Sequence, residues 1–111
     1  MLKQSLYFPG YSLIGEGLCI HKSGDLWSYP YQCCQEDVVS SQILCEDDCS
    51  SWTSCIAYQY NDRYGCCLIP SEKSCPSGFK TEISGPIAAS MNELTFRQKD
   101  SYPTLVCYGK A

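Results

Sequence analysis

The chain carries a single histidine, His21, and none of its cysteines stand as a Cys-x2-Cys pair. Zinc sites draw on such pairs or on mixed Cys/His sets, so a structural or catalytic metal is not expected. Ser or Cys nucleophiles need a positioned base. The one available base lies in a polar stretch beside Cys19 and reads as an exposed loop residue. No glycine-rich phosphate loop occurs, no apolar run reaches the length of a membrane span, and neither Asn61 nor Asn92 begins an Asn-x-Ser/Thr acceptor. With a formal net charge of -4, the chain also lacks the basic surplus of a nucleic-acid surface. The opening MLKQSLYFPGYSLIGEG is broken by Lys3, Pro9 and several polar residues, so it does not hold the apolar core of a secretory leader. It reads as a mature or recombinant start with Met1 added. A non-enzymatic protein without cofactors is expected.

Aliphatic residues are scarce as well: Leu, Ile, Val and Phe together number twenty-two of 111. That is a thin core for one domain, and the length allows no second. Nine Tyr and two Trp compensate in part, since each ring buries a large area while its polar tip finds a partner. Ten cysteines supply what the aliphatics cannot. At this density they read as a disulfide scaffold, each bridge adding roughly 2 to 4 kcal/mol, in a chain that matures outside the reducing cytosol.

The segment CEDDCSSWTSCIAYQYN, residues 45–61, shows how the sulfur is placed. Cys45 and Cys49 are four apart, on one face of a helix that Ser40 or Ser41 can cap. SSWTS favours a stop. From Cys55 the period becomes two, with Ile56, Tyr58 and Tyr60 on one side of a strand and Cys55, Ala57 and Gln59 on the other. NDRYG has hairpin-turn composition and CCLIP resumes extended structure until Pro70, antiparallel to the first strand. Elsewhere, residues 1–18 suit an edge strand or an ordered arm. GLCIH and DLWSYPYQCC look like short strands, the second limited by Pro30 to an edge or bend. SEKSCPSGFK and SGPIAAS read as loops, and ELTFRQ and TLVCYG as closing strands. Glu36, Asp37, Glu46, Asp47 and Asp48 bunch without a Lys or Arg between them and read as a solvated helix face and its approach.

The order Cys45-x3-Cys49-x5-Cys55-x-Ala-Tyr-x-Tyr followed by Cys66-x-Leu68 resembles the core of the PAN/apple family, closely over residues 41–69 and elsewhere by length and strand content. The resemblance implies an α+β fold, a small disulfide-rich domain spanning 1–111 with one helix packed across a curved antiparallel β-sheet. It further implies that Cys45 pairs with Cys66, Cys49 with Cys55, and Cys19 with Cys107. Cys33, Cys34, Cys67 and Cys75 lie outside the family pattern. If Cys66 and Leu68 face the helix, Cys67 points to the opposite face, and its partner comes from the 33/34 doublet or from Cys75. The doublets also resemble the hydrophobin order, but that pattern has eight cysteines and long aliphatic loops.

For ligand binding, Trp27, Tyr29 and Tyr31 alternate along DLWSYPYQ with Asp25 at its end, a row able to stack on sugar rings or anchor a partner's side chain, or else to fill the core. Trp52, just past the helix, is a fifth candidate and is expected to cover the sheet edge. The expected function is a secreted or cell-surface, extracellular binding module for a protein or glycan. The alternatives are a stand-alone secreted effector (an inhibitor, toxin-like ligand or signal) and a surface-active or adhesive structural protein.

Overall fold

The computed structural model describes residues 10–24, 28–36, 41–98 and 105–110. Within them lie the strands β1 (Tyr11–Gly15), β2 (Leu18–His21), β3 (Gln32–Gln35), β4 (Cys55–Asn61), β5 (Gly65–Pro70), β6 (Phe79–Ile83), β7 (Leu94–Arg97) and β8 (Val106–Lys110). The helix α1 (Gln42–Ser51) and a single 3-10 turn at Met91–Glu93 complete the described elements. Six strands form one sheet in the order β1-β8-β4-β5-β3-β6, while β2 and β7 pair separately. Each of these ladders is antiparallel. The domain is thus α+β and disulfide-rich, with α1 on one face of the sheet and the β2–β7 ribbon on the other.

Helix α1 starts at Ser41, whose Oγ accepts from the Leu44 N–H at 3.2 Å. It ends at Trp52, whose extended backbone turns its N–H back to the Cys49 carbonyl. Ten residues are marginal for an isolated helix, and this one leaves Ile43 and Leu44 exposed. Its attachment rests on sulfur. Cys45 bonds Cys66 on β5, and Cys49 bonds Cys55 at the start of β4. Beneath it lie Tyr58 and Leu68, both fully buried, with the Tyr58 ring stacked on Tyr108 at 5.5 Å and met edge-on by Tyr11 at 5.9 Å. Tyrosine does here what aliphatic side chains do in richer cores.

The simple alternation expected of β4 fails at its first residues. A bulge falls between Cys55 and Ala57, opposite Pro70 and Ile69. Cys55 therefore joins the helix-side cluster with Tyr58, and Ile56 packs with Ala57 on the ribbon side. An extra residue in one strand reverses the facing of what precedes it. Here the reversal brings Cys55 under Cys49. Beyond the bulge the period holds to Asn61, whose Oδ1 accepts from the Arg63 and Tyr64 N–H groups at 2.8 and 2.9 Å and closes the expected hairpin. Gly65 completes the turn at φ 89°, a conformation that favours glycine.

On the opposite face Cys19 bonds Cys107 and its N–H donates to Gln59 Oε1 at 2.8 Å, which anchors the ribbon to β8 and β4. Cys19, Ala57, Ile69, Ala88, Leu94 and Cys107 form that side's core. Cys67 does face away from α1's partner Cys66, and it bonds Cys34, directly across the β3–β5 ladder. Cys33 bonds Cys75. All ten cysteines are thus paired, and the five bridges are nested one inside the next, from 19–107 through 33–75, 34–67 and 45–66 to 49–55.

Two stretches differ from their sequence reading. Of DLWSYPYQCC only Gln32, Cys33 and Cys34, the first residues of β3, are strand among the described residues, because buried Pro30 offers no N–H to a ladder. Strand β6 begins inside SEKSCPSGFK, which reads as loop; β3 recruits it by pairing Gln35 with Phe79 and Cys34 with Lys80. Of the edge strand or arm expected at 1–18, residues 1–9 lie outside the described residues and the remainder contributes β1, an edge strand beside β8.

Candidate functional site

The aromatic row does not assemble as an exposed face. Asp25 and Trp27 lie outside the described residues. Tyr29 is half-buried, and Tyr31 is buried with its hydroxyl 2.6 Å from Thr81 Oγ1, so that ring belongs to the interior. Trp52 is half-buried against the helix-side core. Its carbonyl accepts from the Cys55 N–H and from Lys110 Nζ.

The acidic cluster is also divided. Asp37 lies outside the described residues, Glu36 and Asp47 are exposed, and Asp48 is half-buried. Glu46, by contrast, is only 2 % exposed and belongs to no solvated face. The Tyr58 hydroxyl donates to Glu46 Oε2 at 2.9 Å and accepts from Gln42 Nε2 at 3.2 Å, while Glu46 Oε1 is buried with no hydrogen-bond partner among the described residues. Burial raises the Glu46 carboxyl above its ordinary range, the Tyr58 bond opposing and Asp47 adding to the rise. Burial likewise pushes the Tyr58 phenol well above its ordinary value. This pair fastens α1 to β4 through a polar contact.

His21 is not an exposed loop residue either. It ends β2 and is buried, because Leu94 pairs with it across the ribbon and both are withdrawn from solvent. The Ser23 N–H, which can only donate, points at Nδ1 from 3.1 Å, with Ser23 Oγ at 2.7 Å from the same atom. Nδ1 is therefore the acceptor and Nε2 carries the proton, facing the Ile87 carbonyl at 3.1 Å and Glu93 Oε1 at 3.4 Å. These contacts close a tight turn at residues 21–24, reinforced by Gly24 N–H to the His21 carbonyl. The exposed Lys22 stands in that turn.

Two clefts of ligand-binding size open among the described residues. The first, about 400 Å3, lies where α1 ends, between Thr53, Ile56, Ser90, Met91, Asn92 and Lys110. Lys110 Nζ donates to the Cys49 and Trp52 carbonyls at 2.8 and 3.4 Å, capping the helix C-terminus, and burial lowers its pKa. The second, about 370 Å3, is bounded by Ile20, His21, Lys22 and Gly24 on one side and by Thr95, Phe96 and Arg97 on the other. Neither is legible in the sequence, because each joins segments distant in the chain. The one available signal is TFR in ELTFRQ, an aromatic flanked by a hydroxyl and a cation, which also reads as plain strand.

Set beside known proteins, the chain matches no protein family, no curated protein and no solved structure.

Proposed function

We propose that the protein is a secreted or cell-surface binding module of PAN/apple type, non-catalytic, whose ligand is an extracellular protein or carbohydrate. The observation that carries the reading is the pairing of a five-bridge frame with two solvent-open clefts, each within the roughly 300 to 1,000 Å3 of ligand pockets and each mixing apolar side chains with a few polar or cationic ones. A frame cross-linked in this way holds recognition residues with little ordering left to do on binding. The family part of the reading is supported by the three bridges that the resemblance implies, 45–66, 49–55 and 19–107, and by a helix tied across an antiparallel sheet. The extracellular part is supported by the bridge density. It is also consistent with the lack, among the described residues, of any helix long and apolar enough to cross a membrane.

The test is a glycan array run beside cross-linking to surface proteins, with each hit titrated into 15N-labelled protein. Saturable amide shifts confined to residues lining either cleft support the module. Hits that shift neither cleft, or film formation at an air-water interface without any hit, overturn it.

A further inference from the structure

The five bridges are not equally guarded. Four of them hold at least one fully buried residue: Cys19, Cys107, Cys33, Cys45, Cys66, Cys49 and Cys55 are each at most 1 % exposed. In the Cys34–Cys67 bridge alone, both residues are half-exposed. Its place in the sheet accounts for this. Ladder pairing sets Gln59, Cys67, Cys34 and Lys80 in one row across β4, β5, β3 and β6, on the face that carries the ribbon. The ribbon is fastened at the Gln59 end of the row, where Oε1 accepts the Cys19 N–H at 2.8 Å. At the other end the exposed Lys80 stands beside Cys34, so the sulfurs are approached from the β6 side.

This is also the one bridge of the five that joins direct partners of a ladder. Opposed residues of an antiparallel pair hold their Cβ atoms about 4.5 to 5.5 Å apart, whereas a bridge asks for about 3.5 to 4.5 Å. The strands must be drawn together to close it. The Cα atoms of Cys34 and Cys67 stand 3.9 Å apart, against 5.2 to 5.6 Å in the other four bridges. A bridge that is exposed and closed against the spacing of its own ladder is the first to yield to thiols. Opening it releases little chain, because Cys33 and Cys66, the residues just before Cys34 and Cys67, are tied into the 33–75 and 45–66 bridges.

We infer that Cys34–Cys67 is a thiol-exchange site, opened and closed reversibly by an external dithiol while the protein stays folded. A thiolate of the dithiol attacks Cys34 Sγ from the Lys80 side, the S–S bond breaks, and Cys67 leaves as a thiolate and takes a proton from water. The second thiolate of the reagent then attacks its own sulfur in the mixed disulfide and releases Cys34, which is protonated in turn. Two electrons pass to the protein and the dithiol departs as a disulfide. Lys80 draws the incoming anion toward Cys34. The inference goes beyond the binding reading and stands or falls apart from it.

The experiment treats the full chain with increasing dithiothreitol at about pH 8 without denaturant, where an ordinary thiol is partly ionised. Samples are quenched in acid, alkylated and mapped by mass spectrometry, with the amide spectrum of 15N-labelled protein recorded alongside. Cys34 and Cys67 should be labelled first, at a dithiol concentration about tenfold below that which opens any other bridge. Amide shifts should concentrate in β3, β5 and β6 while the rest of the spectrum is retained, and exchange into oxidised glutathione should close the bridge again. Reduced glutathione, a monothiol, should leave its adduct on Cys34. Lys80→Gln, at an exposed position, should slow that adduct about threefold, the size of an exposed charge pair. First labelling at Cys75 or at any other pair, opening of all five bridges together, or loss of the folded spectrum with the first thiols overturns the inference. An adduct confined to Cys67 refutes the attack at Cys34.

Discussion

The nested bridges make a quantitative prediction about which pair the fold needs most. Consider replacing Cys19 and Cys107 together by Ala, against replacing Cys49 and Cys55. The outer bridge spans 88 residues, but the 33–75 bridge inside it already ties 42 of them, which leaves about 46 of free path to close. Chain-entropy arithmetic assigns about 4 kcal/mol to a loop of that size. The innermost bridge closes a separation of only 6, worth no more than about 2 kcal/mol. All four cysteines are essentially buried, so the packing each pair forfeits on truncation to Ala is similar and largely cancels in the difference. The outer pair should therefore cost about 2 kcal/mol more than the inner pair, read as a difference in urea-unfolding free energy at pH 7. Equal losses, or a greater loss for Cys49 and Cys55, would refute the entropic reasoning and mean that helix anchoring outweighs loop closure.

Other outcomes concern single side chains. Tyr58→Phe leaves Glu46 Oε2 and Gln42 Nε2 without their partner and should cost about 1.5 to 3 kcal/mol at pH 7, the range for hydrogen bonds to charged groups, with a smaller loss once Glu46 is protonated. Denaturant titrations at pH 7 and pH 3.5 check both halves. Because burial raises the Glu46 pKa in the folded chain, its native state holds that proton more tightly than the unfolded one. Stability from this group is thus fullest below the ordinary carboxylate range and declines as pH rises through the raised value. Glu46→Gln should flatten that slope in a pH series of unfolding midpoints. Asn61→Ala removes the acceptor for two turn N–H groups and should cost about 1 to 2 kcal/mol, measured by thermal unfolding. Mass spectrometry of the unreduced native protein, alkylated under denaturing conditions, should find no modified thiol, in line with five closed bridges.

By itself the sequence was sufficient for the parts of this protein that depend on neighbours along the chain. A serine cap at 40 or 41, Cys45 and Cys49 on one helix face, the Asn61–Gly65 turn and the opposed facing of Cys66 and Cys67 all follow from local periods and turn chemistry, and all hold in the structure, which takes Ser41 as the cap. The remaining features required the chain to fold back on itself. The bulge that puts Cys55 beneath Cys49 is imposed by pairing with Pro70 and Ile69, and a period-two reading has no term for it. Glu46 looks solvated in an acidic run and is buried because Tyr58 arrives twelve residues later with a hydroxyl to bind it. His21 looks exposed until β7 covers it, and Tyr31 looks like a ligand platform until Thr81 takes its hydroxyl. Phe96, in a strand that the sequence reads only as closing the sheet, stays at the surface with its ring against Gly15, far earlier in the chain, where the lack of a side chain makes room for it. Facing and burial are settled by contacts between distant segments, and those contacts, unlike periodicity, are not written in any single stretch of residues.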